Sequence, residues 1–142
     1  MSEMKLKGSC LCGDVEYEIN ADTTEQAAKF FHCHCQRCRK ASGTGHASLI
    51  ITFDSSLEWK KGGDCFSYYK VPEAKRFATC FCKNCGGALP RYDAENRRAV
   101  IPAGSLDHEP DIKPEARIFW DSRAEWSCQD DIPAFAEYPD SP

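Results

Sequence analysis

Apolar and polar positions alternate over several short stretches of the chain, and alternation with period two predicts strands. Val15, Tyr17 and Ile19 are separated by Glu16 and Glu18, the pattern of a strand with one buried face. Residues 28–35, 47–53, 65–71, 75–82, 98–103 and 116–120 are short, apolar, and rich in β-branched or aromatic side chains, and they predict six further strands. Helical patterning is sparse. A short helix is predicted over residues 36–42, where Gly43 would end it, and a second over residues 131–136.

Glycine and proline punctuate the gaps, at Gly43, Gly45, Gly62, Gly63, Gly86, Gly87, Pro102, Pro110 and Pro114. No change of composition divides the chain. The expectation is one mainly β domain across residues 1–142, with its core in 7–136 and a frayed tail in 137–142. The chain has 142 residues, enough for a hydrophobic core without covalent staples.

Charge narrows the partners. The 22 acidic residues outnumber 18 basic ones, for a net charge of −4, so nucleic acid is an unfavoured partner. No stretch reaches the roughly 18 consecutive apolar residues of a membrane span. Residues 1–9 carry no apolar segment of a secretory leader, and the expected compartment is the cytoplasm.

The ten cysteines change the picture most. In a reducing compartment, clustered cysteines are metal ligands more often than disulfides. The spacing Cys-x-Cys-x-x-Cys occurs twice, at Cys33, Cys35 and Cys38 and at Cys80, Cys82 and Cys85. Cys10 and Cys12 form a further pair. Residues two apart on a strand face the same way, so Cys10 and Cys12 can share an ion, and so can Cys33 and Cys35. That arrangement turns His32 and His34 to the opposite face. Cys82-Lys-Asn-Cys85 followed by Gly86 reads as a knuckle that wraps amides around a metal-bound sulfur. Cys10, Cys12, Cys82 and Cys85 make a four-thiolate zinc site that ties the chain's start to its middle. Cys33, Cys35 and Cys38 are then left as three ligands, and three protein ligands with an open position is the pattern of a catalytic zinc.

The segments GSCLCGDVEYEI, FHCHCQRCRKASG, FCKNCGGAL and ARIFWDSRAEW, followed by DDIPAF, occur in the same order in glutathione-dependent formaldehyde-activating enzymes, the group to which centromere protein V belongs. The chain resembles that family from about Gly8 to Phe135. The resemblance implies the β-tent zinc fold, a twisted assembly of antiparallel sheets. It implies two zinc ions, a structural one on Cys10, Cys12, Cys82 and Cys85 and a catalytic one on Cys33, Cys35 and Cys38. The implied activity is that of a carbon–sulfur lyase joining glutathione to formaldehyde, as in S-(hydroxymethyl)glutathione synthase, with a small thiol and a small aldehyde as partners.

Cys80 opens a rival reading. It stands two residues before Cys82 and could close the second site as a fourth ligand. The protein would then be a non-catalytic zinc domain for protein or nucleic-acid binding, with two closed four-cysteine sites. The alternatives for Cys80 are a plain buried thiol or a redox-active neighbour. Arg37, Arg39 and Lys40 could offset thiolate charge, or form a solvated basic face. His46 could carry a proton, its reference pKa being about 6.5, or simply enter a strand. His108 shows no evident partner. Cys65 and Cys128 read as spare thiols, and Trp59, Tyr68, Tyr69, Trp120 and Trp126 as core or rim aromatics.

Overall fold

The structure is a computed structural model and describes residues 3–22, 28–128 and 131–139. Among these residues the strands run β1 (Glu3–Ser9), β2 (Glu16–Asp22), β3 (Ala28–Cys33), β4 (Ala47–Thr52), β5 (Ser56–Lys61), β6 (Phe66–Lys70), β7 (Ala78–Cys82), β8 (Ala88–Leu89), β9 (Arg91–Asp93), β10 (Arg98–Pro102) and β11 (Ala116–Ile118). One helix, α1 (Gln36–Ser42), lies between β3 and β4, and single 3-10 turns cover Ala103–Ser105 and Trp120–Ser122. The protein is mainly β.

The strands form three sheets, in the orders β1-β2-β5, β11-β3-β4-β10-β9 and β6-β7-β8. Among the described residues all strand pairs are antiparallel, as expected, except β11 with β3 at one edge, which is parallel. Strand β11 reaches β3 after a long excursion through β4 to β10, a connection that lets two strands run the same way.

The first sheet is built by alternation. Met4 and Leu6 of β1 are buried while Lys5 and Lys7 are exposed, and Lys5 Nζ reaches the Glu18 carboxylate of β2 at 3.2 Å. Val15, Tyr17 and Ile19 bury fully beside them, and Tyr17 donates or accepts a 2.6 Å hydrogen bond with Ser105. Gly8 stands opposite Tyr17, and a Cβ there would collide with the phenol ring and the Ser105 carbonyl, so only glycine fits. Phe30, Ile50, Leu89, Ala99 and Ile101 from the other sheets complete one contiguous buried cluster with Cys80 and Cys82. Burial of each large aliphatic side chain contributes about 1.5–3 kcal/mol.

Two elements place the candidate site. Strand β3 pairs with β4 in the register Phe31 to Leu49, His32 to Ser48 and Cys33 to Ala47. It ends at Cys33, two residues short of the predicted end, because Cys35 turns the chain into α1 as its N-cap. Gly43 ends α1 with φ of 73°, as the sequence predicts. The hairpin of β6 and β7 carries Cys80 and Cys82 to the same cluster. β7 starts at Ala78 and not at Lys75 because the residues before it form a turn closed by Ala74 N–H to Val71 O and Val71 N–H to Phe77 O.

Residues 131–136 are not helical. Pro133 lacks the amide that a helix needs, and Ile132 and Phe135 are exposed, so no buried face supports one. Of the tail 137–142, the last three residues lie outside the described residues, and 137–139 are exposed.

Candidate functional site

The first cluster forms where two turns meet. Cys10 follows the end of β1, and Cys12 sits in the turn before β2, so the strand geometry expected for this pair is replaced by a knuckle. Cys10 N–H donates to Val15 O and Gly13 N–H to Cys10 O, which closes that turn. The second turn joins β7 to β8, with Cys82 N–H to Gly87 O and Gly86 N–H to Cys82 O. The sulfurs of Cys10, Cys12, Cys82 and Cys85 all lie within 4.8 Å of one another. Cys10 Sγ is 3.7 Å from Cys12 Sγ, and Cys12 Sγ is 3.9 Å from Cys82 Sγ.

Each of the four sulfurs faces an N–H. Val15 N–H reaches Cys10 at 3.3 Å, and Asn84 N–H reaches Cys82 at 3.3 Å. Cys85 accepts from Cys12 N–H at 3.4 Å and from Gly87 N–H at 3.3 Å. Asn84 Nδ2 reaches Cys12 at 3.3 Å and is held by Asp14 at 3.2 Å. The two amides at Cys85 bring its thiol down to about 6. Four convergent sulfurs with a donor aimed at each suit a metal that takes thiolates. Gly87 is required here, because a Cβ would sit 2.8 Å from the Leu11 amide nitrogen. Asn84 was not singled out by sequence, although its place inside the Cys-x-x-Cys knuckle was a usable signal.

The second cluster lies at the junction of β3 and α1. The sulfurs of Cys33, Cys35 and Cys38 lie within 4.8 Å of one another, and Cys80 does not belong to that set. Cys33 and Cys38 are buried, and Cys35 is half-buried. Cys38 N–H donates to Cys35 Sγ at 3.3 Å. Burial raises the Cys35 thiol, but this and neighbouring hydrogen bonds outweigh it and hold the group below its ordinary value. Burial pushes Cys33 and Cys38 up. Three cysteine sulfurs on one short loop-to-helix junction also fit a thiolate-binding metal.

Cys38 opens onto a cavity of about 230 Å³ between α1, β4 and the β7–β9 edge. Its walls are mainly apolar, with Ala47, Leu49 and Phe81 among them, and Ser42, Cys80 and Arg91 also face it. Cys80 is buried, and burial holds its thiol up at about 12, so it is a neutral thiol at neutral pH. Arg91 had no sequence signal, because its place on the cavity wall depends on the β9–β10 pairing. Arg37 and Lys40 are exposed, and Arg39 is half-buried.

His32 of β3, His34 just past its end and His46 just before β4 gather together. The ring centroids of His32 and His46 are 4.2 Å apart, and those of His34 and His46 are 5.0 Å apart. His34 is fully buried, packs on Trp120 at 5.0 Å, and has no hydrogen-bond partner for either ring nitrogen among the described residues. Ser48 Oγ bridges the group at 2.9 Å from His32 Nδ1. Burial first, then neighbouring positive charge, holds all three imidazoles below their ordinary value. Their nitrogens do not converge as a third set of metal ligands among the described residues. His108 does have a partner, its Nε2 accepting from Lys7 N–H at 3.1 Å. Cys65 and Cys128 stand apart from both clusters, and Arg117 contacts Cys128 Sγ at 2.9 Å. Trp59 is half-buried and stacks on Phe66 at 4.4 Å, while Tyr68, Tyr69, Trp120 and Trp126 are exposed at the rim.

No helix among the described residues is long and apolar enough to cross a membrane. A Halomonas elongata protein with the provisional name of glutathione-dependent formaldehyde-activating enzyme is 26% identical to the chain over 149 residues, covering 96% of this chain and 90% of that one. A crystal structure of a Rhodobacter sphaeroides protein matches the fold with a TM-score of 0.53 at 22% identity, over 79% of this chain and 98% of that chain. The family model described as glutathione-dependent formaldehyde-activating enzyme matches residues 5–122, and the chain belongs to that family.

Proposed function

We propose that the protein joins a small thiol to a small aldehyde, and splits the adduct in reverse, as a zinc-dependent carbon–sulfur lyase of the S-(hydroxymethyl)glutathione synthase type. The observation that carries this reading is the three-sulfur set of Cys33, Cys35 and Cys38, of which Cys38 lines a cavity, with no fourth cysteine in the set. Cys10, Cys12, Cys82 and Cys85 would hold a structural zinc, and Cys33, Cys35 and Cys38 a second one.

Zinc at the second set supplies a place where a substrate thiol is kept as thiolate. Three protein thiolates already exceed the two positive charges of the ion, so carbonyl polarisation is the weaker use of that metal. In the reaction the thiolate sulfur attacks the carbonyl carbon. A carbon–sulfur bond forms, the carbonyl π bond breaks onto oxygen, and the proton given up by the thiol ends on that oxygen. No electron donor or acceptor is needed. The cavity beside Cys38 holds the aldehyde next to the sulfur and limits its contact with water. Cys35, fixed as the N-cap of α1, and Cys33, fixed in the ladder with Ala47, hold the set rigid.

The test is zinc content and thiol-dependent formaldehyde consumption in Cys38→Ser. The proposal expects a folded protein that retains one zinc and has lost turnover. Full turnover with one zinc would sink it.

A further inference from the structure

Among the described residues that line the cavity beside Cys38, Arg91 is the only one with a charged side chain. It lies on β9, opposite Val100 of β10, and Val100 lines the same cavity. Its guanidinium is fixed in two ways. Nη1 donates to the Arg76 carbonyl at 2.7 Å, and the group lies 5.4 Å from the centroid of the Phe77 ring. It is half-buried, and it has no carboxylate partner among the described residues. Burial makes its charged form harder to keep.

A desolvated cation on an apolar wall is costly unless an anion meets it. The Arg76 carbonyl uses one of five N–H donors, which leaves most of the planar fork free for a carboxylate. The position is also suitable for chemistry, since Cys38 of the sulfur set and Arg91 line one small cavity.

We propose that Arg91 is the specificity-determining residue of this cavity, holding the carboxylate of an anionic thiol whose sulfur lies at the Cys33, Cys35 and Cys38 set. The inference rests on the proposed function, because it takes that set as the place of the substrate sulfur. Neutral thiols of the same size enter the cavity and reach the cluster, but leave the guanidinium without a partner. Arg91 thus favours carboxylate-bearing thiols through binding, and alters turnover mainly through KM.

The experiment titrates zinc-loaded wild type, Arg91→Met and Arg91→Lys with 3-mercaptopropionate and with 2-mercaptoethanol, by calorimetry and by formaldehyde consumption. Zinc content is measured on each variant. Wild type is expected to favour the carboxylate thiol by about tenfold or more, the scale of a hydrogen bond to a charged group. In Arg91→Met the two thiols are expected to bind alike within about twofold, with two zinc ions retained. Arg91→Lys is expected to recover part of the preference, because it keeps the charge and loses the fork. A wild type that treats both thiols alike, yet turns them over, overturns the role of Arg91 and leaves the proposed function standing. A preference that persists in Arg91→Met does the same. Loss of the second zinc in Arg91→Met, with the preference unchanged in Arg91→Lys, assigns Arg91 to the thiolate charge and overturns the proposal. If neither thiol binds wild type, both readings fall together.

Discussion

The two cysteine clusters of this protein are built from the same residue type, yet differ in almost every physical respect. The first draws its four sulfurs from two distant turns and surrounds each with an N–H donor. It joins the edge of the first sheet to the third, across a sequence separation of 70 between Cys12 and Cys82. The second draws three sulfurs from six consecutive residues, and Cys38 among them lines a cavity. Closing a long loop constrains the unfolded chain far more than closing a short one. A metal at the first cluster would therefore contribute to folding, whereas one at the second would add little to the fold and, on the proposed function, would take the substrate thiol. The contrast teaches that saturation of the sulfurs, and not their number alone, separates a staple from a working site.

The largest expected effect breaks the comparison at its structural side. Cys85→Ser and Cys82→Ser should lose the staple and fail to give a cooperatively melting protein, since apparent zinc binding in small structural sites is worth about 10–16 kcal/mol. Far-ultraviolet dichroism on heating, with zinc content, checks this; an unchanged melt with two zinc ions would count against the staple.

The next effect lies on the other side. Cys33→Ser and Cys38→Ser should fold, retain one zinc, and lose turnover by about a thousandfold, the scale of several kcal/mol of barrier. Melting temperature and steady-state rates, measured on the same samples, distinguish loss of function from loss of fold.

A smaller effect sharpens the role of the N–H donors. Asn84→Ala removes the donor to Cys12 and its tie to Asp14. Zinc at the first cluster should be released to a competing chelator about tenfold more readily, with the second zinc unaffected. Equal weakening of both ions would mean that Asn84 acts on the whole fold.

Much of this contrast is legible in the sequence. Residues 15–19 alternate cleanly because one face of the strand is buried, and α1 covers residues 36–42 and ends at Gly43 as its sequence predicts. Strand β1 is not among the expected strands: Met4 and Leu6 alternate with Lys5 and Lys7, but the segment around them is mostly polar. Strand β5 carries only Leu57 and Trp59 as half-buried apolar positions, too few for a period to be seen. The predicted helix at 131–136 gave weight to its apolar residues and too little to Pro133. The site shows the same division. Spacing brought the cysteines into two groups, because their pairs are local. The proximity of His46 to His32 comes from the β3–β4 register, and the cavity with Arg91 from the β9–β10 pairing, so neither leaves a trace in residue spacing.

The smallest expected effect concerns Cys80, which faces the cavity but stands outside both sulfur sets. Its buried thiol, held at about 12, keeps its proton well above the pH at which an exposed thiol ionises. Folding stability should therefore fall as pH rises through about 9, and Cys80 should resist iodoacetamide at pH 8 until the chain unfolds. Cys80→Ala should keep two zinc ions and full turnover. Mass mapping of alkylated cysteines checks the reactivity, and loss of the second zinc in Cys80→Ala would instead make Cys80 a ligand.

The central claim is that the second sulfur set is open to a thiol and the first is not. A crystal structure of the zinc-loaded protein, with anomalous data at the zinc edge, tests it directly when collected with and without glutathione. The account predicts zinc on Cys10, Cys12, Cys82 and Cys85, unaffected by glutathione, and zinc on Cys33, Cys35 and Cys38, where added glutathione brings its sulfur to about 2.3 Å from the metal. Cys80 Sγ bound to the second zinc, with glutathione changing neither site, would contradict it.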